Sequence, residues 1–233
     1  MNKNWNDLVA ESYIATIEHK VPGYQLLHEL TVDVLTATLP AEQHQNILVV
    51  GAGGGEEMVH VMERNKHWSM TGVDPSKPML DMAKRRVDSL QMSQQVTWME
   101  TTIDQVQEEP VYDAAISLLV FHFVKDKQQF LQEIGRRLKP GAPLVIAAIQ
   151  GGIETKVFEQ ELKALSVFMR RQGLAETVFS SFQDRLGEST IPIQTGELLN
   201  GLKQAGFERV NPFFKALMIE GFVCYRSHQE VNG

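Results

Sequence analysis

Residues able to do chemistry cluster at two places in the first half of the chain. Gly51-Ala52-Gly53-Gly54-Gly55 follows the apolar run Ile47–Val50, and Asp74 ends a second run, Thr71-Gly72-Val73-Asp74. Glycine lets the backbone turn tightly and lets a ligand lie against it. A helix starting just after such a loop presents unpaired N–H groups. A carboxylate at the carboxyl end of a parallel strand stands where open sheets bind ligands, and it can accept hydrogen bonds from both hydroxyls of a ribose. Loop and carboxylate together point to a ligand that carries a nucleoside.

The spacing narrows the choice. A dinucleotide fingerprint beginning at Gly51 needs a glycine at position 56, where Glu56-Glu57 stands instead. Two carboxylates at a helix start are a poor setting for a pyrophosphate, which disfavours an NAD-dependent oxidoreductase. S-adenosylmethionine (SAM) has no phosphate; it offers a carboxylate, an ammonium, a sulfonium and an adenosine. The G-x-G-x-G spacing suits it.

The elements that must position these groups follow from hydrophobic periodicity. The first forty residues read as helix, with Leu8, Ile14 and Ile17, then Leu26, Leu27, Leu30 and Val34, at helical spacing and a break at Pro22-Gly23. Strands are predicted at Ile47–Val50, Met70–Val73, Val96–Met99, Ala114–Leu119 and Leu144–Ile149. Helices are predicted after the glycine loop to about Asn65, from a Ser76 cap to about Leu90, and from Asp126 to Leu138 before Pro140-Gly141. Such alternation argues for a parallel sheet covered by helices on both faces. Thr155–Arg171 is a long helical pattern, Ser180–Thr190 a polar loop, and Thr195 a cap for a helix through Gln204. The runs Phe207–Phe214 and Ala216–Tyr225 are joined too closely for a crossover helix, so they should pair as an antiparallel hairpin.

Five segments in order, Ile47–Glu57, Thr71–Leu80, Val96–Asp104, Tyr112–Val124 and Leu138–Ile149, resemble the class I SAM-dependent methyltransferases. The resemblance implies an α/β fold: a Rossmann-like, doubly wound, mostly parallel seven-stranded sheet of order 3-2-1-4-5-7-6, with the C-terminal hairpin antiparallel. It divides the chain into an N-terminal helical cap (1–45), a SAM-binding core (46–150), a helical cover over the acceptor site (151–195), and a last helix with the hairpin (196–233). Carried over residue by residue, it places Gly51, Ala52 and Gly53 against the methionine part of SAM. It puts Asp74 on the ribose with Pro75 beside the adenine, Thr102 and Ile103 at the adenine, and Leu118 below the cofactor. Two departures stand out: many relatives have aspartate where Thr102 stands, and most have an acid where Val49 stands, which anchors the methionine amino group.

Val21-Pro22-Gly23-Tyr24 and Leu202–Glu208 resemble the carboxy-SAM synthase group, linked to tRNA wobble-uridine modification. That likeness makes Tyr24 a candidate cofactor contact and Arg185 a candidate for binding the carboxylate of a modified cofactor. His122, just beyond the fourth strand, is the candidate general base, with structural or cofactor contact as the alternative role. The remaining histidines are scattered without ligand spacing, so no metal site is expected.

Bulk properties bound the rest. The single cysteine, Cys224, permits no internal disulfide and reads as a small buried strand residue. A net charge of −7 argues against tight nonspecific nucleic-acid binding, and the basic clusters Lys84-Arg85-Arg86, Arg136-Arg137 and Arg170-Arg171 read as solvated helix faces. No apolar run approaches the roughly 20 residues of a membrane helix, and Met1–Ala10 is polar, so a cytoplasmic enzyme is expected. The expected partner is a small-molecule acceptor, with a homodimer left open. A carboxy-SAM synthase-like or tRNA-linked enzyme and a SAM-binding protein without catalysis are the alternatives.

Overall fold

A computed structural model of the protein describes residues 7–40 and 42–228; in the first helix, side chains are described at Tyr13 and from Ala15 onward, so those of Leu8 and Ile14 lie outside the described residues. The chain begins with α1 (Asp7–Lys20) and α2 (Tyr24–Thr38), then alternates β1 (Asn46–Val50), α3 (Glu56–Arg64), β2 (Ser69–Val73), α4 (Lys77–Ser89), β3 (Val96–Met99), β4 (Ala114–Leu118), α5 (Lys127–Arg137) and β5 (Pro143–Ile149). It ends with α6 (Lys156–Arg171), α7 (Glu176–Gln183), α8 (Thr195–Gln204), β6 (Phe207–Ala216) and β7 (Ile219–Arg226). The seven strands form one sheet of order β3-β2-β1-β4-β5-β7-β6. β7 runs antiparallel to both β5 and β6, and the other pairs are parallel.

The sheet is buried on both faces, which explains the nearly unbroken apolar strands. Successive side chains alternate between two cores. Ile47, Val49, Ile116 and Val145 pack with α2 and α3 on one face, while Leu48, Val50, Ala115 and Leu144 pack with α5 and α8 on the other. Cys224 is fully buried on β7, where burial pushes its thiol pKa up and keeps it protonated.

Three local expectations are corrected. The polar stretch from Ser180 begins inside a helix, because α7 runs to Gln183 and seats Phe179 in the core. The cap of α8 is Gln194, not Thr195: the Glu197 carboxylate accepts the Gln194 N–H at 3.2 Å, and Thr195 instead donates to Glu220 Oε2 at 3.0 Å. Arg137 does not lie on a solvated face. It is 1% exposed, pairs with Glu133 at 2.6 Å, and donates to the Val106 carbonyl. Its long apolar stem makes burial tolerable once each guanidinium nitrogen has an acceptor. The Ser76 cap is as expected, its hydroxyl accepting from Met79 N–H at 3.4 Å.

Candidate functional site

The glycine loop and Asp74 meet at the carboxyl ends of β1 and β2. The N–H groups of Gly51 and Ala52 donate to the Val73 carbonyl at 2.8 and 3.0 Å, fastening the loop to the end of β2. Gly53 N–H donates to Asp74 Oδ2 at 3.0 Å, and Ser76 N–H to Oδ1 at 2.8 Å. The reason for glycine at alternate positions is backbone geometry: Gly51, Gly53 and Gly55 have φ of 76°, 47° and 80°. A Cβ on Gly51 would also stand 2.3 Å from Val120 Cγ2, too close for any side chain. Burial raises the Asp74 pKa against the pull of its two backbone N–H donors. Each of its oxygens keeps a lone pair for a further donor.

Around this junction lie three connected recesses. A narrow crevice of about 70 Å³ is bordered by Gly51, Gly53, Asp74, Leu118, Tyr24 and Glu57. On the far side of Gly51 a recess of about 200 Å³ is bordered by Pro75, Thr102, Ile103 and Asp104. A larger cavity of about 500 Å³ holds His122 and Arg185 on its wall. It shares Tyr13, Ile17, Leu119 and Phe123 with the crevice. Each cofactor-contact residue expected from sequence thus borders the crevice or the adjoining recess, except Ala52, whose side chain is fully buried in the core while its backbone shapes the loop. His122 and Arg185 fall together on the larger cavity.

Sequence reasoning missed several residues. Glu57, on the first turn of α3, is buried, and its pKa is pushed up to about 8, first by burial and further by the nearby negative charges of Glu56 and Asp74. The absence of an acid at position 49 was the available signal: Val49 is 1% exposed in the core, and carboxylates border the crevice from α3 instead. Glu56 points to a different partner. Its carboxyl is held well below the usual range by a hydrogen bond with His60 and by Arg86, which also donates to the Gly54 carbonyl at 3.4 Å. Arg86 is therefore a brace between α4 and the glycine loop, not a solvated charge. Asp104 sits two residues beyond the Thr102 position where relatives carry aspartate; the Thr102 hydroxyl beside it lowers its pKa. Leu119 has φ of 59°, backbone strain for a branched side chain, at the border of crevice and cavity.

His122 is 4% exposed, and its Nδ1 accepts the Ile149 N–H at 3.3 Å. The neutral ring therefore carries its proton on Nε2.

The crevice is acidic. Glu57 and Asp74 line it, and Arg86 there is spent on Glu56. Such a lining suits a ligand bearing positive charge, as the ammonium and sulfonium of SAM do, and a ribose that needs acceptors. Chemistry fits better than size: about 70 Å³ is far below the roughly 300–1,000 Å³ of ordinary small-molecule pockets. Tyr13 and Ile17 of α1 form the wall that closes it.

Comparisons with known proteins agree with this geometry. A family model described as a methyltransferase domain matches residues 48–144. The carboxy-S-adenosyl-L-methionine synthase of Desulfotalea psychrophila is 22% identical over 95% of this chain and 91% of its own. The corresponding synthase of Hydrogenovibrio crunogenus is 25% identical over 96% and 89%. A crystal structure described as a putative SAM-dependent methyltransferase, from Methanococcus maripaludis, superposes with a TM-score of 0.68 at 16% identity, over 99% of each chain. Residues 48–144 thus match a methyltransferase-domain model, and the seven-stranded sheet that holds them has the fold of the putative SAM-dependent methyltransferase on which it superposes.

Proposed function

We propose that the protein is a SAM-dependent methyltransferase that transfers the methyl group to a small-molecule acceptor by in-line displacement. The observation that carries this reading is the 3.0 Å hydrogen bond from Gly53 N–H to Asp74, which joins the two halves of the cofactor motif at one point. In this reading the backbone of Gly51–Gly53 lies along the methionine part, and the Glu57 carboxylate holds its ammonium in place of the missing acid at position 49. Asp74 accepts from the ribose hydroxyls. Pro75, Thr102 and Ile103 form the adenine recess, with Asp104 supplying a carboxylate on its wall. Leu118 and Tyr24 close the crevice from either side.

SAM supplies a methyl group on a positively charged sulfur, which needs alignment more than activation. The chain provides that alignment and excludes water. The acceptor enters from the cavity of about 500 Å³, which shares Leu119 and Phe123 with the crevice, so that a nucleophile held there faces the sulfonium methyl. Admission of the cofactor requires Tyr13 and Ile17 to swing away with α1. Calorimetry is the test: SAM and S-adenosylhomocysteine bind and NAD does not. NAD binding without SAM binding would overturn the reading.

His122 acts in this scheme as a hydrogen-bond donor through Nε2, because Nδ1 is occupied by Ile149. A general base contributes roughly 10²- to 10⁴-fold. His122→Asn, which keeps an acceptor for the Ile149 N–H, should lower kcat by less than about tenfold and leave the pH profile of S-adenosylhomocysteine release unchanged. A loss at or above the general-base range would restore the catalytic role.

A second reading, a carboxy-SAM synthase-like enzyme, is supported by relatives that align over nearly the whole chain and by Arg185 on the cavity beside the crevice. Mass spectrometry of the nucleoside that co-purifies decides between them. A ligand heavier than SAM by one carboxyl group favours the synthase, and SAM or S-adenosylhomocysteine favours the transferase. Binding of SAM with no turnover on a broad acceptor panel would leave a SAM-binding protein without catalysis.

A further inference from the structure

The two chambers differ in their ionisable groups. The crevice is lined by Glu57 and Asp74, whereas the larger cavity has no aspartate or glutamate on its wall among the described residues. It does have two cations, Lys20 and Arg185, on its wall. Lys20 is the last residue of α1, and Arg185 follows the end of α7. Both are half-buried, and neither has an ion-pair partner among the described residues. In a chain of net charge −7, two unneutralised cations on one concave wall are out of character.

Their proximity is costly to the free protein. Burial lowers the Lys20 pKa, and the Arg185 guanidinium lowers it further. Like charges held close in a partly desolvated site repel, and the repulsion is relieved by an anion between them. Much of the rest of the wall is apolar, including Leu165, Met169, Leu217, Met218 and Ile219. Thr177 and Ser181 of α7, eight and four residues before Arg185, also line the cavity and add hydroxyl hydrogen-bonding capacity.

We infer that this cavity takes an amphipathic anion, with its apolar body against the Met169–Ile219 wall and its carboxylate or phosphate between Lys20 and Arg185. This deepens the methyltransferase reading and rests on it for the identity of the cavity as the acceptor site. The anionic end anchors the acceptor about the α1–α7 side, and the opposite end of the molecule faces the border at Leu119 and Phe123. The cation pair thereby sets which end of an acceptor is presented to the cofactor. It also links acceptor binding to α1, whose Tyr13 and Ile17 close the crevice while its last residue, Lys20, grips the anion.

The test titrates the full chain, with and without S-adenosylhomocysteine, against decanoate, decyl phosphate, decanol and decylamine, each below its micelle concentration. At least one of the two anions should bind about tenfold or more tighter than decanol, the scale of one charge-assisted contact, and decylamine should bind weakest. Whichever anion prevails names the headgroup. The Lys20→Met/Arg185→Met variant, which preserves stem volume, should erase the gap between anion and alcohol while decanol still binds as it does to the parent chain. Equal binding of decanol and both anions, or a gap that survives in the double variant, overturns the inference. Failure of S-adenosylhomocysteine to bind the unmodified chain overturns the methyltransferase reading instead, and the anion arms measured without it still decide the charge preference of the cavity.

Discussion

Asp74→Ala should weaken SAM binding by roughly 1.5–3 kcal/mol, the range for hydrogen bonds involving a charged group, or about ten- to hundredfold in dissociation constant. The carboxylate does two things at once. It accepts from Gly53 and Ser76 N–H groups, so it sets the shape of the loop, and under the proposed function its remaining lone pairs accept from the ribose. Alanine removes both. The structural share is separable by experiment: two backbone N–H groups lose a partner, and the melting temperature of the ligand-free variant reports that cost. Calorimetry with S-adenosylhomocysteine reports the ligand share. An unchanged dissociation constant would remove Asp74 from the site and leave the residue as a loop brace.

Glu57→Gln should do the opposite to stability while it too weakens the ligand. The carboxyl titrates at about 8 in the free protein, with burial the first cause. At pH 7 it is therefore mostly protonated. Placing an ammonium beside it favours the ionised form and lowers its pKa, so binding of SAM at pH 7 releases up to about one proton. Affinity should rise with pH from 6 to 8 and level off above. The folded chain also holds a proton that the unfolded chain has already lost, between the ordinary glutamate range and pH 8. Stability from this group is then fully present below that range and falls as pH rises through about 8. Glutamine keeps the shape but not the charge. The variant should lose about tenfold or more in affinity for SAM and show a flat pH dependence of binding. It should also melt higher than the parent at pH 8. Calorimetry in buffers of different ionisation enthalpy measures the proton directly. A parent chain that releases no proton, or a variant with unaltered affinity, would place the ammonium elsewhere.

Much of the cofactor side was legible because its determinants are local in the chain. Positive φ at Gly51, Gly53 and Gly55 demands glycine whatever surrounds the turn. Asp74 is carried to the site by being the residue after a strand, and that strand announced itself by its apolar run. Even where boundaries moved, as at α7 and the Gln194 cap, the order of elements stood, since periodicity and chain connectivity decide it.

Other residues could not be read this way. Glu56 and Glu57 are neighbours with the same side-chain chemistry, yet one pairs with Arg86 and His60 while the other is buried at the crevice with its pKa raised to about 8. His60, four residues on, is a local partner for Glu56; but the helix turns successive side chains roughly 100° apart, and only the arrival of α4 decides that Arg86 reaches Glu56. Arg137 looked like a surface charge for the same reason, until α5 packed against the sheet and brought Val106 to it.

By itself the amino-acid sequence determined that this chain folds into a parallel α/β sheet with a glycine turn and a carboxylate at the ends of adjacent strands. Those features depend on backbone conformation and on periodic burial, which each segment encodes within a few residues. Only the tertiary structure decided that Glu57 lines the crevice beside the glycine loop, that His122 spends Nδ1 on Ile149, and that Lys20 and Arg185, 165 positions apart, share one cavity with no carboxylate on its wall among the described residues. Charges act through space, so the electrostatic character of a chamber exists only once distant segments have been brought around it.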